Sequence, residues 1–145
     1  MIKKKLIKNA NKVDQFLIKY LKNQKKSLLI KPMKYGVIYG GKKIRSTIIF
    51  DTGKLFKISE KKLINICAAV ECIHSYSLIH DDLPCMDNDV TRRGKPSTHV
   101  KFGEASAVLA GSSLLTLAFE IVTDKNYLLK SVMKNEIVRS LANCS

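Results

Sequence analysis

The chain has 145 residues, 46% of them hydrophobic, and 26 Lys and Arg against 12 Asp and Glu give a formal net charge of +14. That length suits one domain, or part of a larger one, with a real core, and the lack of repeats or Pro/Ser/Gly-rich tracts excludes a disordered chain. The charge invites a nucleic-acid or membrane-surface reading, but only four of the bases are arginine (45, 92, 93 and 139). The lysines are scattered and no basic run is interleaved with aromatics, so nucleic-acid binding is set aside as a main function.

Taken in chain order, the pattern is helical almost throughout. Residues 6–22 place Leu6, Val13, Leu17, Ile18 and Leu21 at helical spacings with lysines between them, which predicts an amphipathic helix. Residues 31–44 hold Pro32, Gly36, Gly40 and Gly41 and read as a loop leading into a short helix over 45–56, ending around Gly53. Ser59 is a candidate N-cap, although Lys62 replaces the acid or amide of a full capping box. From Lys61 to about Leu83 the run is apolar on most faces, as in a buried helix, and Pro84 should stop it near Asp82 or Leu83. Residues 88–103 read as a loop, 104–123 as a long helix, and 125–143 as a last helix capped by Asp124. Ala107, Gly111 and Ala118 suit close packing of the long helix on a neighbour. No alternating strand pattern stands out, so the class is all-α.

The four cysteines (67, 72, 85 and 144) lack metal-binding spacing, and Cys67 and Cys72 read as reduced core residues suited to the cytoplasm. The basic N-terminus is followed by no apolar signal segment. The uncharged stretch 105–119 is too short and too polar for stable membrane insertion.

Chemistry concentrates at two places. Four of the 12 acids (Asp81, Asp82, Asp87 and Asp89) fall within nine positions, and Arg92-Arg93-Gly94 follow closely. Clustered carboxylates repel unless cations neutralise them, so this spacing points to a divalent metal beside a phosphate. The plainer reading, polar residues closing a helix C-terminus, suffers from the helix dipole, which disfavours carboxylates there. An EF-hand fails because Arg92 and Thr98 occupy the positions that need Gly and Glu. Glu71, His74, Ser75, Leu78, Asp81 and Asp82 share one helical face, as in the wall of a deep pocket with a charged mouth. Arg92 and Arg93 are either solvated loop charges or grips on two different anions, since neighbours in a loop point different ways. The second place is GGKKIRS, residues 40–46, where glycines and a helix start let backbone amides approach an anion. Taken alone it is weak, and His74 taken alone is more often a satisfied buried histidine.

With these residues in place, CIHSYSLIHDDLPCMDNDVTRRGKPSTHVKFGEASAVLAG (72–111) resembles the first aspartate-rich region of the trans-prenyl diphosphate synthases. GGKKIRS resembles that family's upstream element at the expected distance. The resemblance implies an all-α bundle around a central cavity, usually a homodimer. It implies that Asp81 and Asp87, with Asp82 beside them, hold Mg2+ on an allylic diphosphate that Arg92 contacts. Lys42, Arg45, His74 and Arg93 would hold isopentenyl diphosphate. Tyr76 and Ser77, five and four residues before Asp81, would set product length, with Tyr76-Ser77 favouring farnesyl over geranylgeranyl diphosphate.

Some positions depart from the family pattern. Lys43 and Ser46 stand where Arg and Pro are usual, Val90-Thr91 replace Asp-Leu, and Ser112 replaces an Asp. The pattern's second aspartate-rich motif lies beyond the matched region, so residues 1–145 read as a single, apparently truncated domain. The competing expectations are an inactive remnant that still binds diphosphates and, in another class, a basic helical module for nucleic acid or anionic membrane.

Overall fold

The computed structural model describes every residue except Met1, Lys25 and Tyr39. The described residues form helices α1 (Ile2–Lys22), α2 (Ile30–Val37), α3 (Ile44–Leu55) and α4 (Glu60–Asp81), then a ribbon of β1 (Thr91–Arg92) and β2 (Lys95–Pro96). Helices α5 (Thr98–Phe102), α6 (Glu104–Thr123) and α7 (Ser131–Cys144) complete the chain.

The core is the α4–α6 pair. Ala68, Ala69 and Cys72 of α4 and Ala107, Ala110, Leu114 and Ala118 of α6 are all fully buried, and side chains this small let two backbones approach closely. By length and mean hydropathy (1.2 and 1.7 over 18 residues) each helix could cross a bilayer, but about half of each window is buried inside the fold. Helix α1 lays Val13, Leu17 and Leu21 on this core, as their spacing requires, and its lysines face outward. Burial pushes the Cys67 and Cys72 thiols up to about 12, so both are inert core groups. All four cysteines are free.

Several expected boundaries move. The stretch read as a loop from residue 31 contains α2, because Pro32 sits in the first turn, where a missing N–H costs no helical bond. Helix α3 runs through Gly53, where an added Cβ would lie 2.2 Å from Leu63 Cδ1, so the glycine is there for packing rather than termination. Ser59 precedes α4 without a side-chain cap bond. Asp124 does not cap the last helix. Its carboxylate accepts the Asn126 N–H at 2.7 Å in a turn, and α7 starts only at Ser131.

The loop expected over 88–103 holds the β ribbon and α5. Thr91 pairs with Pro96 and Arg92 with Lys95, leaving a two-residue turn of Arg93 and Gly94. Both turn residues have positive φ (55° and 74°), the geometry that matches the twist of a tight hairpin. Two residues per strand are too few to show a period-two pattern.

Candidate active site

The aspartate turn begins where α4 ends. Pro84 cannot continue a helix, and the chain folds back so that the Asp87 N–H donates to the Asp81 carbonyl at 2.8 Å. Asp81 is thereby half-buried beside an exposed Asp87. Neither carboxylate has an ion-pair or hydrogen-bond partner among the described residues. Uncommitted, solvent-reachable carboxylates on residues joined by a backbone hydrogen bond suit Mg2+, which takes one or two from protein and the rest from water and phosphate.

Asp82 behaves differently. Its side chain is 3% exposed, and it is clasped by Arg92, whose Nε lies 2.7 and 2.8 Å from the two carboxylate oxygens while Nη2 also donates to Oδ1. This pairing holds the Arg92 guanidinium above its ordinary pKa. Asp82 is thus committed to Arg92 whereas Asp81 and Asp87 are not, and among the described residues no three His, Cys, Asp or Glu side chains converge as a metal site. Among the described residues Arg92 Nη1 has no hydrogen-bond partner.

The hairpin turn sends Arg93 the other way. Its guanidinium lies against Gly40 and Gly41, where an added Cβ would sit 2.9 Å and 2.8 Å from it. Gly41 also has φ +78°, so its backbone favours glycine there, and an added Cβ would push the Arg93 guanidinium aside. Lys42, Arg45, His74 and Arg93 all line one open cleft of about 260 Å³, together with Lys43, Ile44 and Glu71. Burial and the nearby Arg45, Arg93 and Lys43 hold His74 below its ordinary pKa of 6.5, against an upward pull from Glu71. A second, tighter cavity of about 50 Å³ shares Gly40 and Arg93 with the cleft and reaches Asp82 and Arg92. Arg93 thus borders both spaces.

Lys43 serves structure. It is 3% exposed, its Nζ donates to the Val37 carbonyl at 2.8 Å, and it lies 3.1 Å from Asp14 Oδ1. The Asp14 contact is Coulombic and lacks hydrogen-bond geometry, and burial outweighs it to raise the Asp14 pKa. Ser46 is buried and donates its hydroxyl to Glu71 Oε1 at 2.8 Å. Glu71 was placed on the pocket face by its spacing, but its tie to Ser46, 25 residues away, has no sequence signal.

Tyr76 and Ser77 line another cleft of about 340 Å³ with Val70, Ile73 and Leu141, and Arg45 and His74 border both this cleft and the basic one. The Tyr76 ring meets His80 edge-on at 4.7 Å, and His80 Nε2 lies 3.0 Å from the Val108 carbonyl of α6. The carbonyl only accepts, so Nε2 carries the proton.

The family model described as Polyprenyl synthetase matches residues 26–143. The chain is similar to a farnesyl diphosphate synthase of Buchnera aphidicola, 57% identical over 99 residues, covering 68% of this chain and 35% of that protein. A farnesyl diphosphate synthase of Escherichia coli is 55% identical over 96 residues, covering 66% and 32%. A chloroplastic geranylgeranyl pyrophosphate synthase of Catharanthus roseus is 41% identical over 142 residues, covering 96% and 39%. Among solved structures, a geranyltransferase from Legionella pneumophila superposes with TM-score 0.92 at 36% identity, covering 97% of this chain and 50% of that one. The chain thus spans about a third of the length of these curated relatives and half of the solved one.

Proposed function

The chain belongs to the polyprenyl synthetase family, and on that premise we propose that it serves the Mg2+-dependent condensation of isopentenyl diphosphate with an allylic diphosphate. The observation that carries this reading is the cleft in which Lys42, Arg45, His74 and Arg93, from three separate segments, face one space, with Arg93 also bordering the cavity that reaches Asp82. Four convergent cationic or protonatable side chains suit a diphosphate, and the guanidinium forks match its oxygens in pairs. In this reading Lys42, Arg45, His74 and Arg93 orient isopentenyl diphosphate.

Asp81 and Asp87 hold Mg2+ on the allylic diphosphate, and the free Nη1 of Arg92 reaches the same group. Bound Mg2+ supplies neutralisation of charge on the departing diphosphate. Asp82 holds Arg92 in place. The C–O bond of the allylic substrate breaks, the isopentenyl double bond attacks the resulting cation, and a proton leaves the adduct. Val70, Ile73 and Tyr76 present an apolar wall that keeps water from that cation. Tyr76 limits elongation, so the product is farnesyl diphosphate; a geranylgeranyl product is the runner-up, since relatives of that name also match. A homodimer and a cytoplasmic setting belong to the same reading, the latter in keeping with four free thiols.

The test is incubation of the purified chain with Mg2+, isopentenyl diphosphate and dimethylallyl diphosphate. Prenyl product that disappears in Asp81→Ala supports catalysis at this site. Absence of product at high protein concentration, with diphosphate still bound, overturns autonomous catalysis and leaves a binding remnant.

A further inference from the structure

Helix α3 begins abruptly. Lys43 sits before it in the left-handed conformation (φ 43°, ψ 51°), and no side-chain cap comes from that residue. A lysine cannot accept a hydrogen bond, and this one is spent on Val37 and Asp14. The first N–H groups of a helix need an acceptor from somewhere. Ile44 and Arg45 are exposed to solvent. Ser46 is wholly buried, and water does not reach it.

Its acceptor comes from another helix. The Ser46 N–H lies 3.3 Å from Glu71 Oε1, and the Ser46 hydroxyl donates to the same oxygen at 2.8 Å. Glu71 is buried at 3% exposure. It is the one acid lining the cleft beside Lys42, Lys43, Arg45, His74 and Arg93. Yet none of these cations lies within ion-pair distance of it. Its negative charge faces the positive end of α3 instead, where a carboxylate is stabilising.

We infer that Glu71 is a positioning residue that caps the first turn of α3 from α4 through Ser46 and so holds Arg45 on the cleft. The inference rests on the diphosphate reading of that cleft for its functional part only. It belongs to this chain's own sequence. A proline at position 46, usual in the family the chain resembles, has neither N–H nor hydroxyl to offer.

Two readouts test it, amide hydrogen exchange at Ser46 and calorimetric binding of inorganic pyrophosphate. Glu71→Ala should expose the Ser46 amide to exchange and weaken pyrophosphate binding about fivefold, the value of a typical lost cap. Glu71→Gln keeps an acceptor oxygen and should stay within about twofold of wild type on both readouts. Ser46→Ala combined with Glu71→Ala should cost little more than Glu71→Ala alone, since the two residues act as one unit. Should Glu71→Ala fail to fold, Glu71→Gln and Ser46→Ala carry the test, the latter expected to weaken binding. If both Glu71 variants instead tighten pyrophosphate binding equally, Glu71 is only a repelling charge and the inference falls. It also falls if Ser46 exchange is unchanged in Glu71→Ala. A wild-type chain that binds no pyrophosphate but loses Ser46 protection in Glu71→Ala keeps the cap and overturns the diphosphate reading.

Discussion

The aspartate turn and the glycine–lysine loop carry opposite charge, yet they are built alike. In each, two like charges stand side by side in the sequence, Asp81-Asp82 and Lys42-Lys43, and the fold separates them. Asp82 is buried on Arg92 and Lys43 is buried near Asp14, while Asp81 and Lys42 are more open to solvent and have no ion-pair partner among the described residues. The buried member of each pair fixes geometry. The outer member stays available for a ligand, because a charge already paired within the protein has little left to give a substrate. Sequence proximity alone therefore says nothing about which charge does which task.

The widest split should appear within the acidic pair. Asp82→Ala leaves Arg92, 31% exposed, without its clasp and should lower stability by about 2–3 kcal/mol, below the full cost of a wholly buried pair. Asp81→Ala should stay within about 0.5 kcal/mol in the same urea titration, as surface changes usually do. Equal losses would erase the distinction between the two carboxylates.

The basic pair gives the next contrast. Lys43→Ala strands a half-buried Asp14 and should cost about 2 kcal/mol. Lys42→Ala should leave stability unchanged and weaken pyrophosphate binding about tenfold, as loss of one charged hydrogen bond does. Gly41→Ala comes below these, at about 1 kcal/mol for a side chain at positive φ. Its added Cβ also displaces the Arg93 guanidinium, so pyrophosphate affinity should fall with it; full retention would separate Arg93 from the cleft.

The smallest effect is a pH dependence. The folded pKa of His74 lies below 6.5, so as pH falls below 6.5 the unfolded chain takes up a proton that the folded chain resists. Stability should decline over that interval and stay level above it. His74→Gln should flatten the decline in a thermal-melt series, and a series that keeps its slope would assign the titration elsewhere.

The helices were legible because long amphipathic segments such as α1 repeat their signal over several turns. Helix α2 was not, since Pro32 and Gly36 resemble loop residues even though Pro32 sits harmlessly in a first turn. The site residues were legible as residue types at motif spacing, and four of them do line one cleft. Which acid is clasped and which is free depends on burial and on contacts such as Ser46 with Glu71. Such contacts join segments 25 residues apart and leave no periodic trace.

The hairpin turn at Arg93-Gly94 has a consequence for how this segment tolerates change. Arg92 ends a strand and Arg93 opens the turn at φ 55°, so the two side chains leave the ribbon in different directions. Arg92 meets an acid and Arg93 meets a glycine loop because the count of residues from Asp82 to Gly94 is what it is. A single inserted or deleted residue between Asp82 and Arg92 would carry both arginines away from these partners even if both were kept. The segment is therefore constrained by length more tightly than by identity. Exposed Val90 and Thr91 are free to vary as letters, but the spacing around them is not free to vary at all.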